Sequence, residues 1–184
     1  MRVGIDISQL AYANTGVAKY LSSLVEHLLK TDKENEYILF FSSLRRNLQF
    51  AIPLQRDRFF NFQSNRNVTI KQFRLPPTFL NLLWNKLHIF PIEWFIGDVD
   101  VFITSDWTEP PSIKAKKVTI LYDLVVYKHP EETDKKIVQT QNRKLQWVKK
   151  ESNIVICVSE STKRDAMEIL GIEEKRLKVI YPGV

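Results

Sequence analysis

The chain has 184 residues, 44% apolar and 26% charged, with five Gly and eight Pro, which is ordinary composition for one domain with its own core and excludes a disordered or collagenous chain. Lys and Arg outnumber Asp and Glu by 27 to 21, so the net charge is +6 and the pI about 9.4. The excess is spread out, with Lys114, Lys116 and Lys117 the densest cluster, and it reads as a solvated positive surface. Charge alone would suit RNA, but no RNA-recognition motif accompanies it, and no nucleic acid is expected as a partner. Cys157 is the single cysteine, so a disulfide framework is excluded, and a lone thiol in an apolar run suits a cytoplasmic, reducing compartment. No apolar stretch approaches the roughly 18 residues of a membrane span. His27, His88 and His129 are far apart in sequence, without the close pairing zinc favours, so no metal site is expected.

In chain order, Arg2–Ile7 is predicted as a first strand rather than a secretory leader. A helix follows from Val17, with Leu21, Leu24, Val25, Leu28 and Leu29 on one stripe and Asn14 or Thr15 as its N-cap. Tyr37–Phe41 is the second strand and Val68–Gln72 a weaker third. Between them Ser42–Asn67 is polar and aperiodic, and reads as a helix remnant plus a long loop. Leu80–Phe95 reads as helix kinked or split by Pro91. Strands are predicted at Val99–Thr104, Val118–Tyr122, Ile154–Val158 and Leu177–Tyr181. Ile137, Gln141, Leu145 and Val148 mark another helix, with acids before it and Lys149 and Lys150 at its end, which suits the helix dipole. A last helix should start near Ser159 or Ser161 and stop at Gly171. The strands are near-continuous apolar runs, the pattern of parallel strands covered on both faces. The fold class is therefore α/β, with a Rossmann-like, mostly parallel sheet and helices on both faces.

In such folds ligands bind beyond the carboxyl ends of the strands, near helix N-termini. At the first junction Asn14, Thr15 and Gly16 lead into a helix whose free N–H groups would hold an anion, with Gly16 allowing close approach; a plain turn and cap is the simpler reading. At the second, Tyr122 and Asp123 end a strand. Asp123 could take a proton or bond a sugar hydroxyl, or cap local amides in a turn. At the third, Ser159 ends a strand and starts a helix, where N-capping is its ordinary role. Asp106 and Glu109 follow another strand end and are read as exposed. Trp107 between them could stack on a sugar or belong to the core.

Taken in order, GIDIS, TGVAKYLSSLVEHLL, VTILYDLVVYKHPE, IVICVSESTKRDAMEILGI and LKVIYPGV resemble the N-terminal half of glycosyltransferase family 4, retaining enzymes of the GT-B class. The resemblance spans the chain and is strongest in residues 1–30 and 117–184. It implies two Rossmann-like domains across a cleft, the N-terminal one mainly holding the acceptor and the C-terminal one the nucleotide-sugar donor. The loop before the first helix approaches the donor diphosphate in that family, which assigns Thr15, Gly16 and Val17 to that role. The segment that often reads His-Asp-Leu is here Tyr122, Asp123 and Leu124, and Tyr122 cannot switch charge near neutral pH as a histidine does. Asp123 is carried as the catalytic candidate. Asp106, Trp107, Tyr122, Ser159 and Glu160 are expected to line the acceptor side or border the cleft, the last two within the Val-Ser-Glu-x-Thr segment Val158, Ser159, Glu160 and Thr162. Tyr181, Pro182, Gly183 and Val184 resemble the hand-over to the second domain. The expectation is thus one N-terminal GT-B domain over residues 1–184, lacking the donor domain.

The implied activity is sugar transfer from a nucleotide-sugar donor to a saccharide or lipid-linked acceptor, with the nucleotide sugar as substrate and neither metal nor other cofactor expected. A stand-alone Rossmann-type module that binds a nucleotide or sugar phosphate without catalysis is the competing reading. One further segment, with Leu80, Leu82, Leu83, Trp84, Leu87, Ile89, Phe90, Trp94 and Phe95 flanked by Arg74, Lys86 and Pro91, either packs on the sheet or docks peripherally on a membrane. The two readings differ in whether Trp84, Leu87 and Trp94 face solvent.

Overall fold

The computed structural model describes residues 1–12, 14–46, 48 and 67–182. Seven strands form one sheet: β1 (Arg2–Asp6), β2 (Glu36–Ser42), β3 (Val68–Phe73), β4 (Val101–Thr104), β5 (Lys116–Leu121), β6 (Ile154–Cys157) and β7 (Leu177–Val179). Their spatial order is β3-β2-β1-β4-β5-β6-β7, and every pairing is parallel. This is the doubly wound, Rossmann-like arrangement, with the order reversing between β1 and β4. All seven expected strands are present. The last is two residues shorter than expected, because pairing with β6 stops at Val179.

Alternation along each strand sorts the core into two faces. Val3, Ile5, Tyr37, Leu39 and Phe41 point toward α1 (Gly16–Thr31), which supplies Leu21, Val25 and Leu29. Ile38, Phe40 and Phe102 point the other way, onto Leu80, Leu83, Trp84, Ile92 and Ile96. Further along that second face Leu121, Val155 and Cys157 meet α5 (Lys135–Glu151) and α6 (Glu160–Glu168). Thr15, rather than Asn14, caps α1, its hydroxyl accepting from the Ala18 N–H at 3.2 Å. Asp134 caps α5 and Ser159 caps α6. Gly171 follows α6 with φ +64°, as a glycine stop requires.

The segment after β3 departs from a simple kinked helix. A short α2 (Pro77–Leu80) widens into one π-helical stretch, Asn81–Lys86, and a separate α3 (Glu93–Ile96) follows. The break falls ahead of Pro91, at His88 and Phe90, whose φ angles are +53° and +62°. A short helix, α4 (Val125–Lys128), follows β5. Of the segment read as helix remnant and loop, Ser42 closes β2 and Asn67 enters β3; residues 47 and 49–66 lie outside the described residues.

Candidate functional site

The carboxyl ends of β1, β4 and β5 open onto two depressions separated by the first turn of α1. One is a cavity of about 450 Å³ between Asp6, Thr15, Val17, Asn81, Asp106 and Trp107. The other, of about 550 Å³, lies between Gly16, Val17, Tyr20, Tyr122, Asp123 and Pro182. Val17 borders both. A Cβ built on Gly16 would meet no atom within 4 Å, so the N-terminus of this 16-residue helix is open toward solvent. Its unpaired N–H groups and dipole favour a negative charge there.

Tyr122 stands half-buried at the end of β5. Its hydroxyl lies 3.1 Å from the Ser105 hydroxyl, and its ring meets Tyr20 edge-on at 5.6 Å. Burial pushes its pKa well above the ordinary tyrosine value, against the Ser105 bond that lowers it, so the hydroxyl remains a neutral donor and acceptor. Asp123 is exposed, and its Oδ1 accepts from the Val125 N–H at 3.1 Å. The turn-capping role is therefore present, and the carboxylate also borders the second depression.

Asp106 and Trp107 both line the first cavity and are half-buried. Burial raises the Asp106 pKa, nearby Lys144 opposes the rise, and Asp123 adds to it. The Gln141 side chain donates to the Asp106 carbonyl at 3.1 Å. Glu109 is a correction to the reading of an exposed pair. It is 0% exposed, with Lys117 Nζ 2.9 Å from Oε1 and the Thr104 hydroxyl donating to Oε2 at 2.7 Å. Lys117 and Thr119 of β5, the strand beside β4 in the sheet, receive the carboxylate.

Ser159 and Glu160 border neither depression. Ser159 accepts from the Thr162 N–H at 3.1 Å, and Glu160 is exposed on the first turn of α6. Thr162 links this turn to the site by donating to the Tyr122 carbonyl at 3.0 Å.

Two buried residues, one lining the first cavity and one behind it, escaped the sequence reading. Asp6 closes β1 and borders the first cavity, almost fully buried, its Oδ1 accepting the Ser8 N–H at 2.9 Å. Burial raises its pKa, opposed by the Ser8 bonds and by Lys144. Lys144, also buried, donates to the Ser105 carbonyl at 2.6 Å. Burial lowers its pKa, while Glu109, Asp106 and Asp6 pull it back up. A signal existed for each: Asp6 is an acid at a strand's carboxyl end, and Lys144 sits on the inward stripe with Gln141 and Val148. Away from the cavities, His129, Glu131 and Glu132 bring donor atoms within 4.8 Å of one another on an exposed turn.

Chemically, the arrangement offers an anion-binding helix start, acids and an indole lining the adjoining cavity, and a neutral phenol between them. The doubly wound sheet with these depressions at its carboxyl ends defines an α/β domain of the Rossmann type. The family model of Glycosyltransferase Family 4 matches residues 14–184, and the chain belongs to that family. A comparison with curated proteins finds none that matches.

Proposed function

We propose that this chain is the acceptor-side, N-terminal half of a retaining GT-B glycosyltransferase, moving a hexose from a nucleotide sugar to a saccharide or lipid-linked acceptor. The open start of α1, where a Cβ built on Gly16 would meet no atom within 4 Å, set between two depressions, is the observation that carries the reading. The donor diphosphate would sit against Thr15, Gly16 and Val17, where helix N–H groups stabilise the charge that develops on the leaving group. Lys19, one turn in and bordering the same depression, adds a positive charge. The acceptor would occupy the cavity of Asp106 and Trp107, with carboxylates accepting from its hydroxyls and the indole against its apolar face. Tyr122 and Asp123 line the depression on the diphosphate side, with Asp123 the catalytic candidate. A donor-binding domain would form the opposite wall, and no metal is assigned a role.

The test is a titration of the isotopically labelled chain with nucleoside diphosphates and nucleotide sugars, followed by amide NMR. Shifts centred on residues 15–17 and spreading to Asp123 are expected. A response confined to α6 or to the His129 turn, or no response at millimolar diphosphate, would overturn the diphosphate assignment.

A further inference from the structure

The segment between β3 and β4 is apolar on two sides. Leu80, Leu83, Trp84 and Ile92 are buried against the sheet. Phe79, Leu82, Leu87, Ile89, Phe90 and Trp94 face solvent, Trp94 with 68% of its surface accessible. The expected segment is thus split between packing and exposure: Trp84 is 0% exposed, whereas Leu87 and Trp94 are open.

Hydrogen bonds and ring contacts define the turn that carries these exposed side chains. His88 and Phe90 take positive φ, the only non-glycine residues to do so among those described. The Trp84 indole N–H donates to the Phe90 carbonyl at 2.9 Å. His88 stacks on Trp147 at 3.5 Å, with its Nδ1 2.8 Å from the Trp84 carbonyl and its Nε2 2.9 Å from Glu151. Phe90 and Trp94 meet edge-on at 5.5 Å. None of Leu87, Ile89, Phe90 and Trp94 borders the two cavities described above.

Bases outnumber acids around this surface. Lys86 ends the π-helical stretch. Glu93 accepts the N–H groups of Ile113 and Lys114, which brings exposed Ile113 and Lys114 beside α3. Lys150 lies 5.0 Å over the Trp147 ring. The adjoining C-terminal half of α5 exposes Arg143, Lys149 and Lys150, and its one acid, Glu151, is engaged by His88 and Lys117. Asp98 and Asp100, past Gly97, share a depression with Arg2, Lys114 and Lys116, which balance them.

We propose that this surface docks the protein on an anionic lipid bilayer. Leu87, Ile89, Phe90 and Trp94 enter the interfacial layer, and Lys86, Lys114 and Lys150 meet the headgroups. Bases around exposed aromatic and aliphatic side chains match an anionic interface, whereas protein–protein interfaces are depleted in lysine. No helix among the described residues is long and apolar enough to cross a membrane, so the contact is peripheral. The inference rests on this surface alone and not on the proposed sugar transfer.

Co-sedimentation of the chain with phosphatidylcholine vesicles, with and without phosphatidylglycerol, tests it. Association only with the anionic vesicles is expected, weakening as salt rises, with a blue shift of tryptophan emission. Phe90→Asn with Trp94→Gln should lower the partition at least about tenfold while the melting temperature holds, because Asn tolerates the positive φ at 90. Lys86→Gln with Lys150→Gln should flatten the salt dependence. Absence of vesicle association would overturn the proposal, as would equal partition of the aromatic variant. A concentration-dependent dimer abolished by the same aromatic substitutions, without lipid binding, would assign the surface to a second copy of the chain instead.

Discussion

Glu109 is an acid without solvent contact, and its charge is matched by Lys117 at 2.9 Å and by the hydroxyls of Thr104 and Thr119. Lys117 in turn reaches Glu151 at 3.0 Å. Removing one member leaves a buried charge without its counter-ion, whereas removing both members relieves it. Lys117→Met should therefore lower the unfolding free energy by about 3–5 kcal/mol, read from denaturant midpoints. Adding Glu109→Gln to that variant should restore most of the loss. Gly16 is the opposite case. With open space where a Cβ would go, Gly16→Val should change stability by about 1 kcal/mol or less. If the α1 start holds a diphosphate, the same substitution abolishes the diphosphate-induced NMR shifts. Equal losses of stability and binding would point to a turn-only role.

At the scale of elements, two contacts position the segment between β3 and β4. Gly4 lies where β1 passes under α3. A Cβ there would stand 2.7 Å from Phe102 Cδ2 and 2.8 Å from Ile96 Cδ1, so Gly4→Ala should cost about 1–3 kcal/mol through overpacking, visible as a lower melting temperature. The second contact is Glu93 of α3, whose Oε1 accepts the Ser112 hydroxyl at 2.6 Å and the N–H groups of Ile113, Lys114 and Ala115. Burial alone would raise its pKa, but the Ser112 and backbone bonds outweigh it and hold the carboxyl below the ordinary value of 4.5. A depressed folded-state pKa means the stabilisation is complete above the unfolded value and is lost as pH falls through the folded one. Melting temperature should therefore decline below about pH 4.5, and Glu93→Gln should lower stability at neutral pH while flattening that acid limb. An unchanged acid limb in the variant would show that other carboxylates govern it.

At the scale of the whole molecule, one sheet carries all three clusters of buried residues, and α1, the β3–β4 segment, α5 and α6 close on it from two sides. Each cluster shares strands with its neighbour, so local unfolding of one exposes the next. A single cooperative thermal transition is expected, with the same midpoint by far-UV and near-UV circular dichroism. Separated midpoints would show that the α5–α6 end melts independently. In the proposed reading the chain by itself provides one wall of a cleft, which neither excludes water nor aligns both substrates. Incubation with nucleotide sugars and acceptors should then give no glycosidic product.

The strands, the capped helices and the family were legible in the residues because those signals are local. Near-continuous β-branched runs, a Thr or Ser before an apolar stripe and a Gly after one act within a few positions of the chain. The junctions that border the site were legible for the same reason, since a doubly wound sheet places its strand ends and helix starts together. The fate of individual polar side chains was not local. Glu109 was read as exposed beside Asp106, yet it is buried because Lys117, on the next strand in the sheet, lies within reach of it. Asp6 and Lys144 are far apart in sequence, and only the docking of α5 over the ends of β1 and β4 lets each influence the other's protonation. The apolar run around Trp84 could not be divided by composition. One π-helical stretch and two positive φ angles turned Trp84 inward and Trp94 outward, a choice set by the packing of Phe40, Phe95 and Trp147 around that turn.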